Sequence, residues 1–229
     1  FQESYSVLDK NLLLVDIGGT NIRYAYSNIG DSGFVSENKA ELDSLNDFDN
    51  LMSMLLAESD VKNIVFSVAG PKVNNSIKMT NRNFQIDADE IRKKFNLESC
   101  YLLNDWESIG YSIRTFSEND FDNFRDGEPF NDTFLVIGPG TGLGASVISG
   151  NNVIATEIGN TNLGLSALKS LLEINSDEFN VLEDVISGTG ISRMFETKTG
   201  NKVKSEEIFS LSLNGCLLYT SPSPRDTAW

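Results

Sequence analysis

The sequence contains no histidine among its 229 residues. A catalytic triad with a histidine base and a metal site with histidine ligands are therefore both excluded. Cysteine is almost as scarce, since only Cys100 and Cys216 occur. Two cysteines cannot form the disulfide framework of a small secreted domain.

Positive charge and long apolar runs are also lacking. The chain carries 18 Lys and Arg against 33 Asp and Glu, which gives a net charge of −15. Such a surface repels the phosphate backbone of nucleic acids. Runs such as "NLLLV" and "TFLVI" are too short to cross a bilayer, and no signal-peptide pattern is present. We expect a cytoplasmic protein with neither a nucleic-acid nor a membrane partner.

Hydrophobic periodicity predicts an α/β protein. "NLLLVDIGGTNIRYAYSN" indicates a strand, a tight turn and a second strand, because apolar and polar residues alternate after the glycines. Helical spacing follows in "LNDFDNLMSMLLAESD" and "DADEIRKKF", with buried strands in "NIVFSVAGP" and "CYLLND". "DTFLVIGPGTGLGASVISGNNVIATE" predicts a meander of three strands. Further helices are predicted in "WESIGYSIRTF", "GLSALKSLLEI" and "NVLEDVISGTGISRMFETKTG", with "SGTG" interrupting the last of these, and one more helix is predicted to begin at Ser205 in "KSEEIFSLSLNG".

Two glycine-rich turns each follow an apolar strand, at Asp16–Thr20 and Gly138–Gly144. Either turn alone is as consistent with a plain hairpin as with a phosphate site. A P-loop would need a lysine after the glycines, and a Rossmann fingerprint would need a helix. A strand follows both turns, which leaves a third arrangement, in which two hairpin turns face each other and hold ATP.

Six motifs in order resemble the bacterial glucokinase family of the hexokinase and actin-like superfamily, from about Leu12 to Ile191. They are "LVDIGGTNIR", "VAGPKVNNSIKMTNRNF", "LLNDWESIGYSI", "VIGPGTGLGASVI", "TEIGNTN" and "VLEDVISGTGI". The cysteine-rich zinc motif of the related ROK kinases is missing, which favours the non-ROK branch. The resemblance implies an actin-like ATPase fold, ribonuclease H-like, with two domains.

The resemblance also implies the reaction, in which ATP phosphorylates glucose or a similar hexose at its 6-hydroxyl, as the first step of glycolysis. Asp105 would be the general base that takes the hydroxyl proton. The hexose would be bound by these residues: Asn81, Asn104, Asp105, Glu157, Asn160 and Glu183. A homodimer is compatible with the family.

ATP and Mg²⁺ are the implied cofactors. The resemblance assigns ATP to residues of the two glycine turns: Asp16, Gly18, Gly19, Thr20, Asn21, Gly138, Gly140, Thr141 and Gly142. Asp16 would position Mg²⁺ through water, because a carboxylate at a strand end beside a phosphate suits this ion.

Three alternatives stay open. Asn104 and Asp105 lie between a strand and a helix, where they could simply cap the helix. The chain could also be a hexose-binding sensor without turnover, although a sensor needs no base such as Asp105. An oxidoreductase that binds its nucleotide through "GPGTGLG" is disfavoured by the hairpins.

Asn160 replaces the histidine of the family, which puts the preference for glucose in doubt.

We expect a small domain over residues 11–105 and an incomplete large domain over 106–215. The tail from Cys216 to Trp229, "CLLYTSPSPRDTAW", has no structural period. It is typical of a disordered tail, but it also resembles a translated sequencing adapter, and we favour the adapter. The chain would then be a C-terminally truncated fragment, and we expect that fragment to be inactive.

Overall fold

The computed structural model describes residues 9–18, 21–31, 33–41, 45–57, 59–79, 85–124, 127–128 and 131–213. The described residues form two compact units, one up to Ser108 and the other from Ile109. Within the part of the chain that the structure describes, no helix combines the length and apolarity needed to cross a membrane. Asn81 and the tail from Cys216 to Trp229 lie outside the described residues.

The first unit holds eight described strands and most of three helices. In chain order its elements are β1 (Leu12–Ile17), β2 (Asn21–Ser27), β3 (Val35–Glu41), α1 (Leu45–Ala57), β4 (Asn63–Val68), β5 (Lys72–Val73), β6 (Ser76–Lys78), β7 (Gln85–Asp87), α2 (Ala88–Lys94), β8 (Ser99–Asn104) and α3 (Asp105–Ser112).

Five of these strands form one sheet in the order β3-β2-β1-β4-β8. β2 is antiparallel to β1 and β3, whereas β1, β4 and β8 run parallel. Alternate residues of β1 (Leu13, Val15 and Ile17) are buried in the core, as a strand period of two requires. Phe48 and Met52 of α1 belong to the same core. β5, β6 and β7 form a separate small sheet.

α2 shows how local sequence sets a helix. The carboxylate of Asp87 accepts the backbone N–H groups of Asp89 and Glu90, both at 3.0 Å, which caps the first turn. Three basic residues occupy the last turn, where they complement the helix dipole. The sequence prediction of this helix is confirmed.

In its described residues, the second unit contains a three-stranded sheet and four further α-helices. Its elements are β9 (Thr133–Pro139), β10 (Leu143–Ser149), β11 (Asn152–Thr156), α4 (Leu165–Leu171), α5 (Glu183–Ile186), α6 (Gly188–Thr199) and α7 (Ser205–Leu213). The sheet is the predicted antiparallel meander, in the order β11-β10-β9. A small core forms around Phe179, with Leu165, Ile174 and Val185.

The predicted interruption of a helix within "SGTG" is confirmed, but the break is shorter than these four residues. Only Ser187 separates α5 from α6, and the glycines after it belong to the first turn of α6. Ser187 has extended backbone angles, and its hydroxyl accepts the N–H of Gly190 at 2.9 Å. It is therefore the N-cap of α6, and its side chain satisfies one of the N–H groups that a helix start leaves without an intrahelical partner.

Candidate active site

Polar residues gather at one edge of the sheet in the first unit. β1, β4 and β8 are parallel, and Ile17, Val68 and Asn104 stand in register across them. The carboxyl ends of all three strands therefore meet at the same edge. Asp16 lies one residue before this row and Asp105 one residue after it, so two carboxylates share the edge.

Asp105 is the first residue of α3, and its carboxylate accepts the N–H of Trp106 at 3.0 Å. Burial raises the pKa of Asp105 above its usual range, and the negative charge of Asp16 acts in the same direction. Hydrogen bonds from the N–H of Trp106, from its own N–H and from Asn104 oppose this increase. A half-buried carboxylate with a raised pKa is a better proton acceptor than an ordinary aspartate.

Asn104 is the cap of α3. Its side-chain oxygen accepts the N–H of Trp106 at 2.9 Å and that of Glu107 at 3.3 Å. Its amide N–H donates to the carbonyl of Gly70 at 2.9 Å. The buried side chain thus fixes the point where β8 turns into α3. The predicted part of Asn104 in sugar binding stays a prediction.

Two residues of this region were not among the predicted site residues. Glu107 is itself buried, and its carboxylate accepts the N–H of Asn104 at 3.1 Å. Asn104 and Glu107 therefore cap each other. Lys72 forms an ion pair with Glu107 at 3.2 Å. The N-x-x-E spacing of a capping box would have indicated Glu107. No local signal indicates Lys72, which lies 35 residues earlier.

The first glycine turn is described only in part, since Gly19 and Thr20 lie outside the described residues. The N–H of Gly18 donates to the carbonyl of Asn21 at 3.0 Å, which closes the hairpin. Asp16 and Arg23 form an ion pair of 3.7 Å with both side chains well exposed. The Asp16 carboxylate therefore lies beside the turn and is accessible to solvent.

The second glycine turn is held by α6. The N–H of Gly188 donates to the carbonyl of Gly140 at 2.8 Å, and the Thr189 hydroxyl donates to the carbonyl of Thr141 at 2.9 Å. Gly140 also donates its N–H to Gly142 within the turn at 2.9 Å. Gly138, the first glycine of the motif, pairs with Gly144 inside the β9–β10 ladder. The turn is thus fixed by a helix start and by its own strands.

Glu183 contacts this same turn. Its carboxylate accepts the N–H of Leu143 at 2.8 Å. A Cβ atom on Gly142 would lie 2.5 Å from that carboxylate, so only glycine leaves room for it. A Cβ atom on Gly159 would lie 3.4 Å from the same oxygen. The structure thus brings a predicted sugar-binding residue, Glu183, together with a predicted nucleotide-binding residue, Gly142.

Glu157 and Asn160 are also brought together. The Asn160 side chain donates to the Glu157 carboxylate at 3.1 Å across a short 3-10 turn, Ile158–Asn160. Both residues are exposed, whereas Gly159 between them is buried against the Leu143 carbonyl. In the second unit, Glu183 thus contacts the second glycine turn directly, and the 3-10 turn that carries the Glu157–Asn160 pair packs against the start of β10 through Gly159.

The fit of Mg²⁺ can be judged from the donors present. Among the described residues, no three His, Cys, Asp or Glu side chains are grouped so that they could hold a metal ion. Asp16 supplies a single carboxylate. One carboxylate together with substrate phosphates and water is the usual environment of Mg²⁺ in proteins, so Asp16 fits this role.

Comparison with known proteins gives consistent matches. The model of the Glucokinase family matches residues 13–214. A glucokinase of Nostoc punctiforme is 28% identical over 212 residues, covering 85% of this chain and 62% of that protein. The chain thus spans less than two thirds of the length of the first curated relatives that it matches.

Solved structures agree on the fold. A glucokinase from an Antarctic psychrotroph has a TM-score of 0.67 at 24% identity, covering 90% of this chain and 71% of that chain. A ROK family glucokinase from Streptomyces griseus, solved with glucose and AMPPNP, has a TM-score of 0.59 at 18% identity, covering 89% and 71%. The predicted actin-like α/β fold is confirmed. Because ROK kinases are among the neighbours, the non-ROK branch stays a prediction.

Proposed function

The chain belongs to the glucokinase family, and on that premise we propose that the protein transfers the γ-phosphoryl group of ATP to the 6-hydroxyl of glucose or a similar hexose. The observation that carries the proposal is the half-buried carboxylate of Asp105, with its raised pKa, at the carboxyl edge of three parallel strands. A family member that lacked this base would have no group there to accept the hydroxyl proton.

Asp105 has two tasks in this reaction. Its carboxylate hydrogen-bonds the 6-hydroxyl and so aligns the oxygen that attacks phosphorus, and it accepts the proton as the new bond forms. Phosphoryl transfer depends mainly on alignment and charge neutralisation, so a fixed carboxylate contributes more than a mobile one. The cap at Asn104 supplies that fixity, because it holds the first turn of α3 through two hydrogen bonds.

The second unit supplies sugar and phosphate contacts in this proposal. Hydroxyls of the hexose donate hydrogen bonds to the carboxylates of Glu157 and Glu183. The side-chain amides of Asn160, Asn81 and Asn104 donate hydrogen bonds to the hydroxyls or accept them. The backbone N–H groups of the two glycine turns, other than those of Gly18, Gly140 and Leu143 that are bonded within the protein, would bind the phosphates of ATP, and Asp16 would bind Mg²⁺ through water. When bound, Mg²⁺ neutralises charge on the transferring phosphoryl group.

Asn160 bears on substrate choice. Its side-chain N–H is engaged with Glu157, so the pair presents one fixed arrangement of donor and acceptor to a sugar. A site whose hydrogen-bonding groups match one arrangement of hydroxyls discriminates against epimers that misplace one of them. We propose glucose as the substrate, with mannose and fructose as the competitors to be measured.

The remaining proposals concern organisation and location. We propose a small domain over residues 11–105 and a large domain from residue 106, a cytoplasmic location, membership of the non-ROK branch and a homodimeric assembly. Size-exclusion chromatography with light scattering measures the last of these directly.

A coupled spectrophotometric assay of the full-length protein tests the function. We expect ATP-dependent turnover of glucose, and we expect Asp105→Asn to lower kcat by about 10²- to 10⁴-fold while glucose still binds. Asp60→Asn, which removes an exposed carboxylate of the same unit, is the matched control and should leave kcat unchanged. Glucose binding without any turnover by the unmodified protein would instead support the sensor hypothesis.

A further inference from the structure

Lys72 and Glu107 form the least exposed of the ion pairs found among the described residues. Their side chains are 27% and 11% exposed, although Lys72 as a whole residue is exposed in the two-residue strand β5. The pairs Asp16–Arg23, Asp49–Lys94 and Asp184–Arg193 are all more accessible to water. Removing two charges from water is costly, so a buried pair is poor evidence for stability and calls for another role.

The Glu107 carboxylate links the cation to the strand end that carries Asp105. One of its oxygens, Oε2, lies 3.2 Å from the Lys72 ammonium and also accepts the Asn104 N–H at 3.1 Å. The Asn104 side chain accepts the Glu107 N–H in return, at 3.3 Å. Asp105 and Trp106 lie between the two residues of this reciprocal cap, so their backbone is held from both sides.

The turn after β4 reaches this cap at two points. The Gly70 carbonyl accepts the Asn104 amide at 2.9 Å, and Lys72, two residues later, binds Glu107. Gly70 itself has φ +141°, and a Cβ atom there would lie 2.9 Å from the Lys78 carbonyl. The turn is therefore confined by its neighbours, and it can act as a fixed support for the cap.

We propose that Lys72, acting through Glu107, is a positioning residue that orients the Asp105 carboxylate. The proposal rests on the proposed function, since it names a residue that supports the same base. Without the ammonium group, the Glu107 carboxylate would be mostly buried with no cation beside it, and it would turn towards water. The Asn104 N–H would then lose its acceptor, and the first turn of α3 would be held on one side only.

Asp105 would also experience a different electrostatic environment. The negative charge of Asp16 from β1 raises the pKa of Asp105 directly, and Arg23 from β2 is paired with Asp16. Glu107 lies two residues further along the same helix, and Lys72 in β5 is paired with Glu107. Loss of Lys72 leaves the Glu107 charge without its cation, so protonated Asp105 becomes more favourable. The acid limb of the rate profile should move to higher pH, because the base must be ionised to act.

Lys72→Met in the full-length protein tests the proposal, because methionine keeps the apolar stem and removes the charge. We expect kcat to fall about 10- to 100-fold, as for a misplaced catalytic group, with KM for glucose and ATP changed by less than about threefold. Lys72→Arg should recover most of the lost rate. Lys78→Met, in the adjacent strand β6, removes an exposed lysine and should leave kcat and the pH profile unchanged.

A second measurement separates this proposal from the proposed function. Carbon-13 NMR of labelled aspartate follows the titration of the Asp105 carboxyl group, assigned by its loss in Asp105→Asn. We expect Lys72→Met to raise this pKa and change the chemical shift, whether or not the protein phosphorylates glucose. An unaltered Asp105 titration, or an unaltered kcat in folded Lys72→Met, would overturn the positioning role. Loss of the proposed function alone would appear as no turnover by the unmodified protein.

Discussion

The two main sheets both start with a hairpin that contains a glycine turn, but their first strands differ in the strands that pair with them. In both, an antiparallel meander carries a glycine turn between its first and second strands, β1–β2 in one unit and β9–β10 in the other. In the first unit the other edge of β1 pairs with β4, and β4 with β8. Among the described residues, β9 has β10 as its one partner strand.

The apolar side chains of β1 are accordingly more buried than those of β9. Leu13, Val15 and Ile17 of β1 are 0–3% exposed, whereas Phe134, Leu135 and Ile137 of β9 are 47–54% exposed. The first glycine turn is thus anchored by a central strand of a five-stranded sheet. The second is anchored by helices, through Glu183, Gly188 and Thr189. Two similar turns are thus anchored by different means.

The largest effect is expected from a leucine-to-alanine change in each first strand. Leu13→Ala should lower the free energy of unfolding by about 3 kcal/mol, because it leaves a cavity in a closed core. Leu135→Ala should cost less than about 1 kcal/mol, because half of that side chain already contacts water. Urea unfolding followed by circular dichroism measures both. Equal losses would mean that β9 is buried as deeply as β1.

An alanine in each glycine turn should have the next largest effect. Gly142→Ala should cost about 1–3 kcal/mol, because the new Cβ displaces the Glu183 carboxylate and leaves the Leu143 N–H without its acceptor. Gly18→Ala is the matched control, because its Cβ would meet the Asn21 carbonyl at 3.7 Å, an ordinary contact. Thermal unfolding of the two variants gives the difference.

A double-mutant cycle assigns the cause of the Gly142→Ala effect. If the carboxylate is responsible, Gly142→Ala should cost much less in a Glu183→Ala background, since no group is left to displace. An undiminished cost in that background would show that the turn backbone, and not Glu183, rejects the side chain.

Two aspartates should respond to amide substitution with opposite signs. Burial tends to raise the pKa of Asp184, but the N–H groups of Asn180 and Val181 and the Arg193 guanidinium hold it below its usual range. Its ionised form therefore stabilises the fold above the unfolded pKa of about 3.9 and loses that effect as pH falls through the folded pKa. Asp184→Asn should cost about 1 kcal/mol at pH 7 and less in acid.

Asp105 is the opposite case. Its pKa is raised on folding, so the stability linked to it is present below the unfolded pKa and lost as pH rises through the folded pKa. Asp105→Asn should therefore leave the protein as stable or slightly more stable at pH 7 while it removes activity. A loss of stability in Asp105→Asn at pH 7, measured by urea unfolding, would contradict the burial effect.

The smallest perturbation is a thiol probe in each sheet. Burial raises the pKa of Cys100 in β8 to about 12, so a thiol reagent at pH 8 should label it only when the first unit opens. Ser146 in β10 is also fully buried, and a Ser146→Cys probe with Cys100 and Cys216 replaced by serine reports on the second unit. We expect the β10 probe to react faster. Equal rates would show that both units open together.

Local periodicity was sufficient to predict much of the fold. The β1–β2 hairpin, the β9–β11 meander and helices α1, α2 and α7 depend on residues close in sequence, and the structure confirms them. β3 was not predicted, because "VSENKAE" has almost no apolar residue and becomes a strand only by pairing with β2. The break between α5 and α6 is shorter than "SGTG", because Ser187 caps α6 and the glycines already belong to its first turn.

The candidate site was predictable where chemistry resides in one motif. Asp105 and its cap come from the consecutive "LND" of a strand end. The contact of Glu183 with the Leu143 N–H, across 40 residues, depends on how α5 meets the β9–β10 turn. The ion pair of Lys72 with Glu107 likewise depends on the pairing of β4 with β8 in the sheet. Such contacts are products of tertiary structure, which no single stretch of sequence encodes.

Among the described residues, β9 is paired along one edge only, and its other edge has a consequence for the handling of this protein in solution. An unpaired strand edge is a template onto which another chain can add a strand, and "TFLVI" is an uncharged, β-prone run of the kind that aggregates. Asp132 and Pro139 flank the run, and both disfavour the addition of a strand. Asp132 does so through its charge, and Pro139 does so because it has no N–H to donate. The net charge of −15 keeps copies apart, and salt screens that repulsion. Ionic strength therefore controls how well dispersed the chain remains.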